Sequence, residues 1–366
     1  MKISTSTRPV FRVSRWVAAV SLLSGLAWAA DFPQRVESAK RSAAQGLGKA
    51  EIPLLKRRPG PGMSAVAGVL ARKFSQSAAP ITTRGRSKTQ THRNRVRIAG
   101  DGWALQVYGD GTKARYRNSA YLDRYASHAR PVGQRLSESR LEALGRQFIR
   151  EHLQDAVVLG ANEALVPFFT EFQIGGGGPT KAGAPMIEEQ VVANTVVFSR
   201  AVNGTDVVGP GSKIAITFAN DEKAVGFDFD WPAYEPAGKT QRVVPLPEIQ
   251  KRLQELGSVK TDSPGVKVER FECGYFDAGL TRRDSDTLIQ AGCFVHTSAR
   301  RIVDQAAYSQ DPSSGHILAA FVDAIPAGDP VEPDKRWRQA AKLLGIAPTV
   351  REVRPPERKR YPIPKP

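Results

Sequence analysis

Alternating apolar and polar positions predict a β-hairpin near residue 100, where the folded part of the chain is expected to begin. Apolar side chains recur at every second position of Trp103–Tyr108, and the alternation resumes over Thr112–Arg117. Gly109-Asp110-Gly111 between them supplies residues that favour a tight turn. Because a period of two places successive side chains on opposite faces, the two segments predict a pair of antiparallel strands.

The same signals predict further strands along the chain. Runs of alternating or β-branched residues are bounded by glycine, asparagine or proline, as strands commonly are. Asn203-Gly204 directly follows one of these runs and is typical of a two-residue hairpin turn. The further predicted strands are Leu165–Ile174, Val191–Val202, Lys213–Phe218, Ala224–Phe229, Val266–Phe276, Gly292–Ser298 and Ile317–Ile325.

Apolar positions at a spacing of 3.6 residues predict helices. The clearest covers Leu141–Leu153, where Ser137 is a suitable N-cap residue and Leu136 can pack on Leu141 across the cap. Shorter helical patterns cover Arg35–Gln45, Val66–Lys73, Pro247–Leu256 and, after Asp334, Lys335–Leu344.

A helix followed by antiparallel strands, repeated twice, predicts an α+β fold of tandem helix-plus-antiparallel-sheet modules with disordered basic arms. The first module takes residues 100–240 and the second, with the cysteines, residues 241–330. Residues 31–99 contain Pro59-Gly60-Pro61-Gly62 and a run dense in Arg, Lys, Thr and Ser, and predict a partly disordered arm. Residues 331–366 predict a short helix and an extended, proline-rich basic tail.

The first thirty residues have the pattern of a secretory signal peptide. A basic start precedes the mostly apolar stretch Trp16–Ala27, and Ala27-Trp28-Ala29 is similar to a cleavage site, so we expect cleavage after Ala29 or Ala30. A membrane span needs about 20 apolar residues, and no such span is predicted to remain after cleavage. We therefore expect a secreted or periplasmic protein. An uncleaved N-terminal anchor is the alternative.

Export determines how the two cysteines of the chain, Cys273 and Cys293, are interpreted. Disulfides form in oxidising compartments, and neither residue has a second cysteine or a histidine at metal-ligand spacing. The sequence therefore predicts a disulfide bond that joins neighbouring strands. In the chain-entropy treatment, a bridge over this span contributes about 3 kcal/mol.

Composition is that of a globular protein, but the charge is unevenly distributed. The 366 residues are 41% hydrophobic and 24% charged, which excludes collagen-like, coiled-coil and wholly disordered chains. The formal net charge of +17 comes from basic ends: residues 31–100 hold 15 cations and 3 anions, and residues 335–366 hold 10 cations and 2 anions. Such arms either contact an anionic polymer or surface or are solvated linkers.

Two short runs place cations at alternate positions and are candidate anion-binding sites. Alternate residues of a strand share a face. Stacking aromatics, which nucleic-acid binding uses, are not interleaved with these cations apart from Tyr116. The anions expected outside the cytoplasm are lipopolysaccharide, wall polymers or extracellular DNA. The candidate residues are Arg93, Arg95 and Arg97 in one run, and Lys113, Arg115 and Arg117 in the other.

One segment, Phe198–Val225, carries a resemblance to a known family. Phe198–Val202 leads into Asn203-Gly204, then Val207-Val208-Gly209, and then the alternating Ile214–Phe218. This order resembles the strand–turn–strand core of PepSY and fungalysin/thermolysin-propeptide domains of bacterial secreted proteins. Pro210-Gly211-Ser212 stands where the propeptide family has a glycine pair. The resemblance implies a non-catalytic secreted module that contacts a peptidase or another envelope protein.

No catalytic, cofactor or metal-binding residue is predicted. The chain has no Gly-x-Ser-x-Gly or His-Glu-x-x-His motif, and its five histidines are not paired at helical spacing. Ala233–Thr240 matches a relaxed phosphate-loop pattern. Pro236 stiffens that segment and no helix pattern follows it directly, so the sequence does not favour phosphate binding there.

Three functions stay open from the sequence. The first is a non-catalytic secreted or periplasmic interaction protein that binds another exported protein, such as a peptidase, through PepSY-like modules. The second is a protein that binds an anionic polymer of the envelope or exterior through its basic arms. The third is an enzyme of unrecognised type.

Overall fold

The computed structural model of the chain describes residues 47, 50–76, 88–122, 129–177, 187–257, 266–280, 288–302 and 316–329. The predicted signal peptide, the predicted helix Arg35–Gln45 and the predicted C-terminal helix and tail lie outside these residues.

Strands dominate the described residues. The strands are β1 (Glu51–Arg57), β2 (Lys88–His92), β3 (Arg95–Gly100), β4 (Trp103–Tyr108), β5 (Lys113–Asn118), β6 (Arg130–Pro131), β7 (Glu163–Gly177), β8 (Ile187–Val202), β9 (Thr205–Val208), β10 (Lys213–Phe218), β11 (Ala224–Asp230), β12 (Tyr234–Arg242), β13 (Val266–Phe276), β14 (Gln290–Ile302) and β15 (His316–Pro326). The helices are α1 (Met63–Gln76), α2 (Glu138–Phe148), which continues as a π-helical turn over Ile149–Leu153, and α3 (Leu246–Leu256). Ser119–Leu122 is a single helical turn, and Val132–Gln134 is a 3-10 turn.

Thirteen of these strands form one mixed sheet. Its hydrogen-bonded order is β15-β14-β13-β9-β8-β10-β11-β5-β4-β3-β2, and β6 and β7 also pair with β8. β1 and β12 form a separate antiparallel ribbon. The described part of the chain is mostly β-sheet, so the predicted α+β fold of tandem helix-plus-sheet modules is wrong.

Strands of the two predicted modules pair with each other, so the modules are not separate units. β9 pairs in parallel with β13, with Val207 opposite Tyr275 and Val208 opposite Phe276. The predicted boundary at residues 240 and 241 also falls inside β12, which pairs with β1. Strands from both predicted modules therefore belong to one sheet, because contacts distant in sequence join them.

The sheet divides into two branches at β8. β10 pairs with Asn194–Phe198 and β9 with Ala201–Val202 on one edge of β8, while β7 pairs with the other edge. β10 leads into the first branch, β11-β5-β4-β3-β2, and β9 leads into the second branch, β13-β14-β15. The loop between β9 and β10 therefore lies at the point where the branches separate, which we call the fork.

All three helices pack on one face of the sheet. Phe198 and Val202 of β8 point to the same side, because they are four positions apart in a strand. Phe198 belongs to the apolar core packed against α1 and α2, and Val202 belongs to the core packed against α3. We call this side the covered face. None of the helices within the described residues packs on the opposite side, which we call the open face.

The arm predicted to be partly disordered, residues 31–99, forms regular structure within residues 50–76 and 88–99, where the prediction of disorder is therefore wrong. The helix predicted within it at Val66–Lys73 is confirmed as part of α1. Val66 and Leu70 of α1 are buried in the core against β3 and β4. The Pro-Gly segment that precedes α1 is fixed by Asp110, whose carboxylate accepts from the Gly60 N–H at 3.0 Å. The Pro-Gly segment, which would break a helix within its own residues, therefore fixes where α1 begins.

Several local predictions are confirmed. β4 and β5 form the predicted hairpin, and the Ser137 hydroxyl caps α2 by accepting from the backbone N–H of Arg140 at 3.2 Å. Asn203 and Gly204 have φ angles of 51° and 77° and form the predicted tight turn between β8 and β9. The segment with the relaxed phosphate-loop pattern forms most of β12.

Candidate functional site

The structure brings the two predicted cation runs onto one face of the sheet. β4 lies between β3 and β5, with Arg97 opposite Gln106, and Gln106 opposite Arg115. Directly opposite residues of antiparallel strands point to the same side. The same register places Arg95 and Lys113 on that side, on either side of Tyr108.

This side is the open face. The intervening residues Val96, Val107 and Ala114 point the other way and are buried in the core under α1 and α2. Arg115 and Arg117 are exposed, and Arg95, Arg97 and Lys113 are half-buried. The alternation seen in the sequence therefore divides each strand into an apolar covered side and a basic open side.

A set of six cations results, which we call the basic face. Its members are Lys88 of β2, Arg95 and Arg97 of β3, and Lys113, Arg115 and Arg117 of β5. Arg93, the remaining predicted cation, lies in the turn between β2 and β3. The sequence does not reveal Lys88 as a member, because β2 is short and entirely exposed and so lacks an alternation of apolar and polar residues.

The basic face has few carboxylates to neutralise it. Arg115 donates through Nε to Oδ2 of Asp228 on β11 at 2.6 Å. The Nη1 group of Arg117 donates to the carbonyl oxygens of Tyr116 at 3.0 Å and Phe227 at 3.3 Å. Within the described residues, the other four members form no ion pair. The face therefore presents excess positive charge to solvent.

A second polar cluster is centred on Arg200 at the fork and is buried. The Arg200 guanidinium lies between the rings of Trp231 and Tyr234, at 3.9 and 4.8 Å from their centres. It donates to Glu163 at 3.2 Å and to the carbonyl oxygen of Pro232 at 2.7 Å. Burial lowers the pKa of Arg200, and the negative charge of Glu163 opposes that effect.

Tyr234 extends this cluster across the fork to the second branch. Its hydroxyl donates to Asp277, which follows β13, and lies 2.6 Å from the hydroxyl of Ser212. Asp277 also accepts from the backbone N–H of Gly279 at 3.0 Å. Burial, together with the nearby Asp277 carboxylate, raises the pKa of Tyr234 well above its ordinary value, so the phenol keeps its proton and remains a donor. β9 and β13 pair over only two residues of each strand. The side-chain contacts of Tyr234 with Ser212 and Asp277 therefore add to the connection between the two branches.

Lys213 occupies the open side of the fork. Its ammonium group donates to the carbonyl oxygens of Val207 at 2.8 Å and Gly211 at 3.2 Å, and lies 4.7 Å from the ring centre of Phe168. Phe168 is the extra residue of a β-bulge in β7, and such bulges redirect a side chain. Arg270 stacks on the same ring at 3.7 Å.

Burial lowers the pKa of Lys213 to about 8. The negative charges of Glu272, Asp277 and Asp206 oppose this shift, and the positive charge of Arg270 adds to it. The ordinary value is 10.5. Between these values the unfolded chain binds the proton more strongly, so this residue makes the free energy of unfolding rise with pH. Below pH 8 both states are protonated and the contribution is constant.

We therefore expect the wild type to gain stability relative to Lys213→Met as the pH rises from about 8 to about 10.5. Urea unfolding of both proteins over a pH series measures this difference. Lys239→Met, at an exposed position of β12, controls for the loss of one cation. A difference between wild type and Lys213→Met that stays constant over the whole series would contradict the prediction.

The predicted disulfide is present. Cys273 and Cys293 lie directly opposite each other in β13 and β14, and both are buried. A disulfide fits an extracellular or periplasmic location. Over the described residues, no group of three or more His, Cys, Asp or Glu side chains is arranged to hold a metal ion. No helix there has the length and apolar character that crossing a bilayer requires.

Comparison with known proteins identifies no family for this chain. No protein-family profile matches the sequence, and no curated protein sequence matches it. Among solved structures, an uncharacterized protein from Eubacterium rectale ATCC 33656 is similar at a TM-score of 0.45 and 11% identity, covering 78% of this chain and 87% of that one. This level of similarity supports no transfer of fold or function.

Proposed function

We propose that this protein is exported and binds an anionic polymer on its basic face. The observation that carries the proposal is the register of β3, β4 and β5, which gathers cations from separate parts of the sequence on one open surface. Clustered cationic side chains attract a polyanion, and their binding releases the counterions condensed on that polyanion. The signal-peptide pattern of the first thirty residues and the disulfide support a site of action outside the cytoplasm.

The second sequence hypothesis places anion binding on flexible basic arms. Here Lys88, Arg95 and Arg97, from the end of the predicted N-terminal arm, are strand residues that share one sheet face with the cations of β5. The cations of a sheet are held at fixed spacing by the backbone, so less conformational freedom is lost on binding than with a flexible arm. The resemblance of Phe198–Val225 to PepSY domains stays a prediction, as does a peptidase partner.

The triple variant Arg95→Gln/Arg97→Gln/Lys113→Gln tests the proposal. These side chains form no ion pair within the described residues, so their replacement leaves the sheet without an unpaired buried charge. Titration of the purified chain with fluorescently labelled heparin at several salt concentrations gives the slope of log K against log salt. We expect that slope to fall by about 2 to 3 and the affinity at low salt to fall by at least about tenfold.

A matched control removes three exposed cations elsewhere, as Arg150→Gln/Lys239→Gln/Lys251→Gln. The control has the same net charge as the face variant, so a smaller effect on heparin binding separates a localised site from overall charge. If both variants bind heparin as the wild type does, the arms carry the binding and the proposed site is wrong. Failure of the wild type to bind any polyanion would remove the proposed function itself.

A further inference from the structure

Five of the six cations of the basic face form two parallel rows with a regular spacing, and the sixth, Lys88, lies on the neighbouring strand β2. One row is Arg95 and Arg97, and the other is Lys113, Arg115 and Arg117. Alternate residues of a strand are about 6.8 Å apart, and two strands separated by a third are about 10 Å apart. The uncharged residues Ala104, Gln106 and Tyr108 of β4 lie between the rows.

The spacing within a row selects among linear polyanions by their charge repeat. Two residues of an extended peptide have six backbone bonds and span about 7 Å. A phosphodiester of a three-carbon polyol also has six bonds between successive phosphorus atoms, so its extended chain repeats at a similar distance. Inorganic polyphosphate has only two bonds per charge, so successive phosphates cannot each meet a successive cation of a row.

The surface between the rows favours a chain without bases. Single-stranded nucleic acids gain much of their affinity by stacking bases on aromatic side chains. Among the described residues of β2, β3, β4 and β5 that point to the open side, Tyr108 is the only Phe, Tyr or Trp, and its hydroxyl donates to Gln106. A short polar floor with Ala104 at one end accommodates a polyol and offers no series of rings for bases.

Two of the cations are already oriented before any ligand arrives. Asp228 holds the guanidinium of Arg115, and the carbonyl oxygens of Tyr116 and Phe227 hold that of Arg117. Donors that are fixed in advance lose less freedom when they bind a phosphate oxygen. The longer row is therefore prepared to contact several phosphates of one chain.

We propose that the basic face binds a single extended polyol-phosphate chain that lies along β4, with its phosphodiester groups between the two rows of cations. This inference rests on the proposed function and names the class of anionic polymer. It commits to a base-free phosphodiester, because the charge repeat matches a phosphodiester and the floor lacks stacking rings.

The experiment compares three probes with equal numbers of phosphates: oligo(glycerol phosphate), oligo(dT) and inorganic polyphosphate. Each competes with labelled heparin for the purified chain at one fixed salt concentration. We expect oligo(glycerol phosphate) to bind at least about tenfold more tightly than either other probe, a difference of about 1.4 kcal/mol. In Arg97→Gln/Arg115→Gln, which interrupts both rows, this preference should disappear.

The outcomes separate this inference from the proposed function. If all three probes bind equally, or polyphosphate binds best, the face responds to charge density, and only the polyol-phosphate inference is overturned. If oligo(dT) binds best, the ligand is a nucleic acid and the inference is again overturned. If heparin binds but none of the probes competes with it, the polyol-phosphate inference is overturned. If neither heparin nor any of the three probes binds when titrated directly, the proposed function fails as well. A preference for oligo(glycerol phosphate) that survives Arg97→Gln/Arg115→Gln would place the binding elsewhere on the chain and overturn the inference.

Discussion

Replacement of Arg200 by methionine is expected to lower the free energy of unfolding by about 3 to 5 kcal/mol, as breaking a buried ion pair by removing one partner commonly does. Arg200 is fully buried between Trp231 and Tyr234, and its partner Glu163 is largely buried as well. The variant leaves the Glu163 carboxylate without its cation and the Pro232 carbonyl oxygen without its donor. Urea unfolding followed by tryptophan fluorescence measures the effect.

Two further variants identify the cause of this loss. Arg200→Met combined with Glu163→Gln removes the uncompensated charge and should recover part of the stability. Arg140→Met breaks an exposed ion pair with Glu222 and should leave the unfolding midpoint near that of the wild type. If Arg200→Met were as mild as Arg140→Met, the buried cluster would not be what joins the two branches at the fork.

Loss of the disulfide should destabilise the protein by about 3 kcal/mol, because the bridge restricts the unfolded chain. The double variant Cys273→Ala/Cys293→Ala removes it without leaving a free thiol. Cys273 and Cys293 are directly opposite in β13 and β14 and pack in the core with α3. The effect should therefore appear in the unfolding midpoint of the whole protein, as measured by thermal unfolding.

A reducing agent provides the control for this prediction. It should lower the midpoint of the wild type toward that of the double variant and should leave the double variant unchanged. Because the sulfur atoms are buried, reduction should be slow in the folded state and rapid in urea. A wild type whose midpoint is the same with and without reductant, after full reduction in urea, would refute the contribution of the bridge.

Local structure could be predicted from the sequence because its causes are local. The hairpin of β4 and β5 follows from period-two alternation and a glycine turn, and the α2 cap follows from Ser137. The strands that carry the candidate cations were also predicted in part, since alternation of Lys113, Arg115 and Arg117 with apolar residues is visible in one segment.

The architecture could not be predicted because it depends on contacts that are remote in sequence. The parallel pairing of β9 with β13 involves two residues from each strand, and neither segment reveals its partner. β1 and β2 lie in a segment whose basic, glycine- and proline-containing composition indicates disorder. Core packing and pairing with β12 stabilise β1, whereas the exposed strand β2 is held by its pairing with β3. A sequence with strong local signals can therefore give correct elements and a wrong assembly.

The candidate site shows the same division. Each cation row was visible as an alternating run, but only the register through β4 places both rows on one face. Arg200 carried a signal that sequence reasoning missed: it is in phase with Phe198 and Val202, at a position of the strand where an apolar residue is expected. A charged residue at such a position indicates a buried partner, here Glu163.

The position of β8 in both branches has a consequence for mutational tolerance. Because successive side chains of a strand alternate, a shift of β8 by one residue against its neighbours would turn its whole inward set outward. Phe198 and Arg200 would then face water, and the pairings with β7, β9 and β10 would change together. Insertions or deletions within Ile187–Val202 should therefore abolish folding of the entire protein, whereas the outermost strand β2 should accept changes in length.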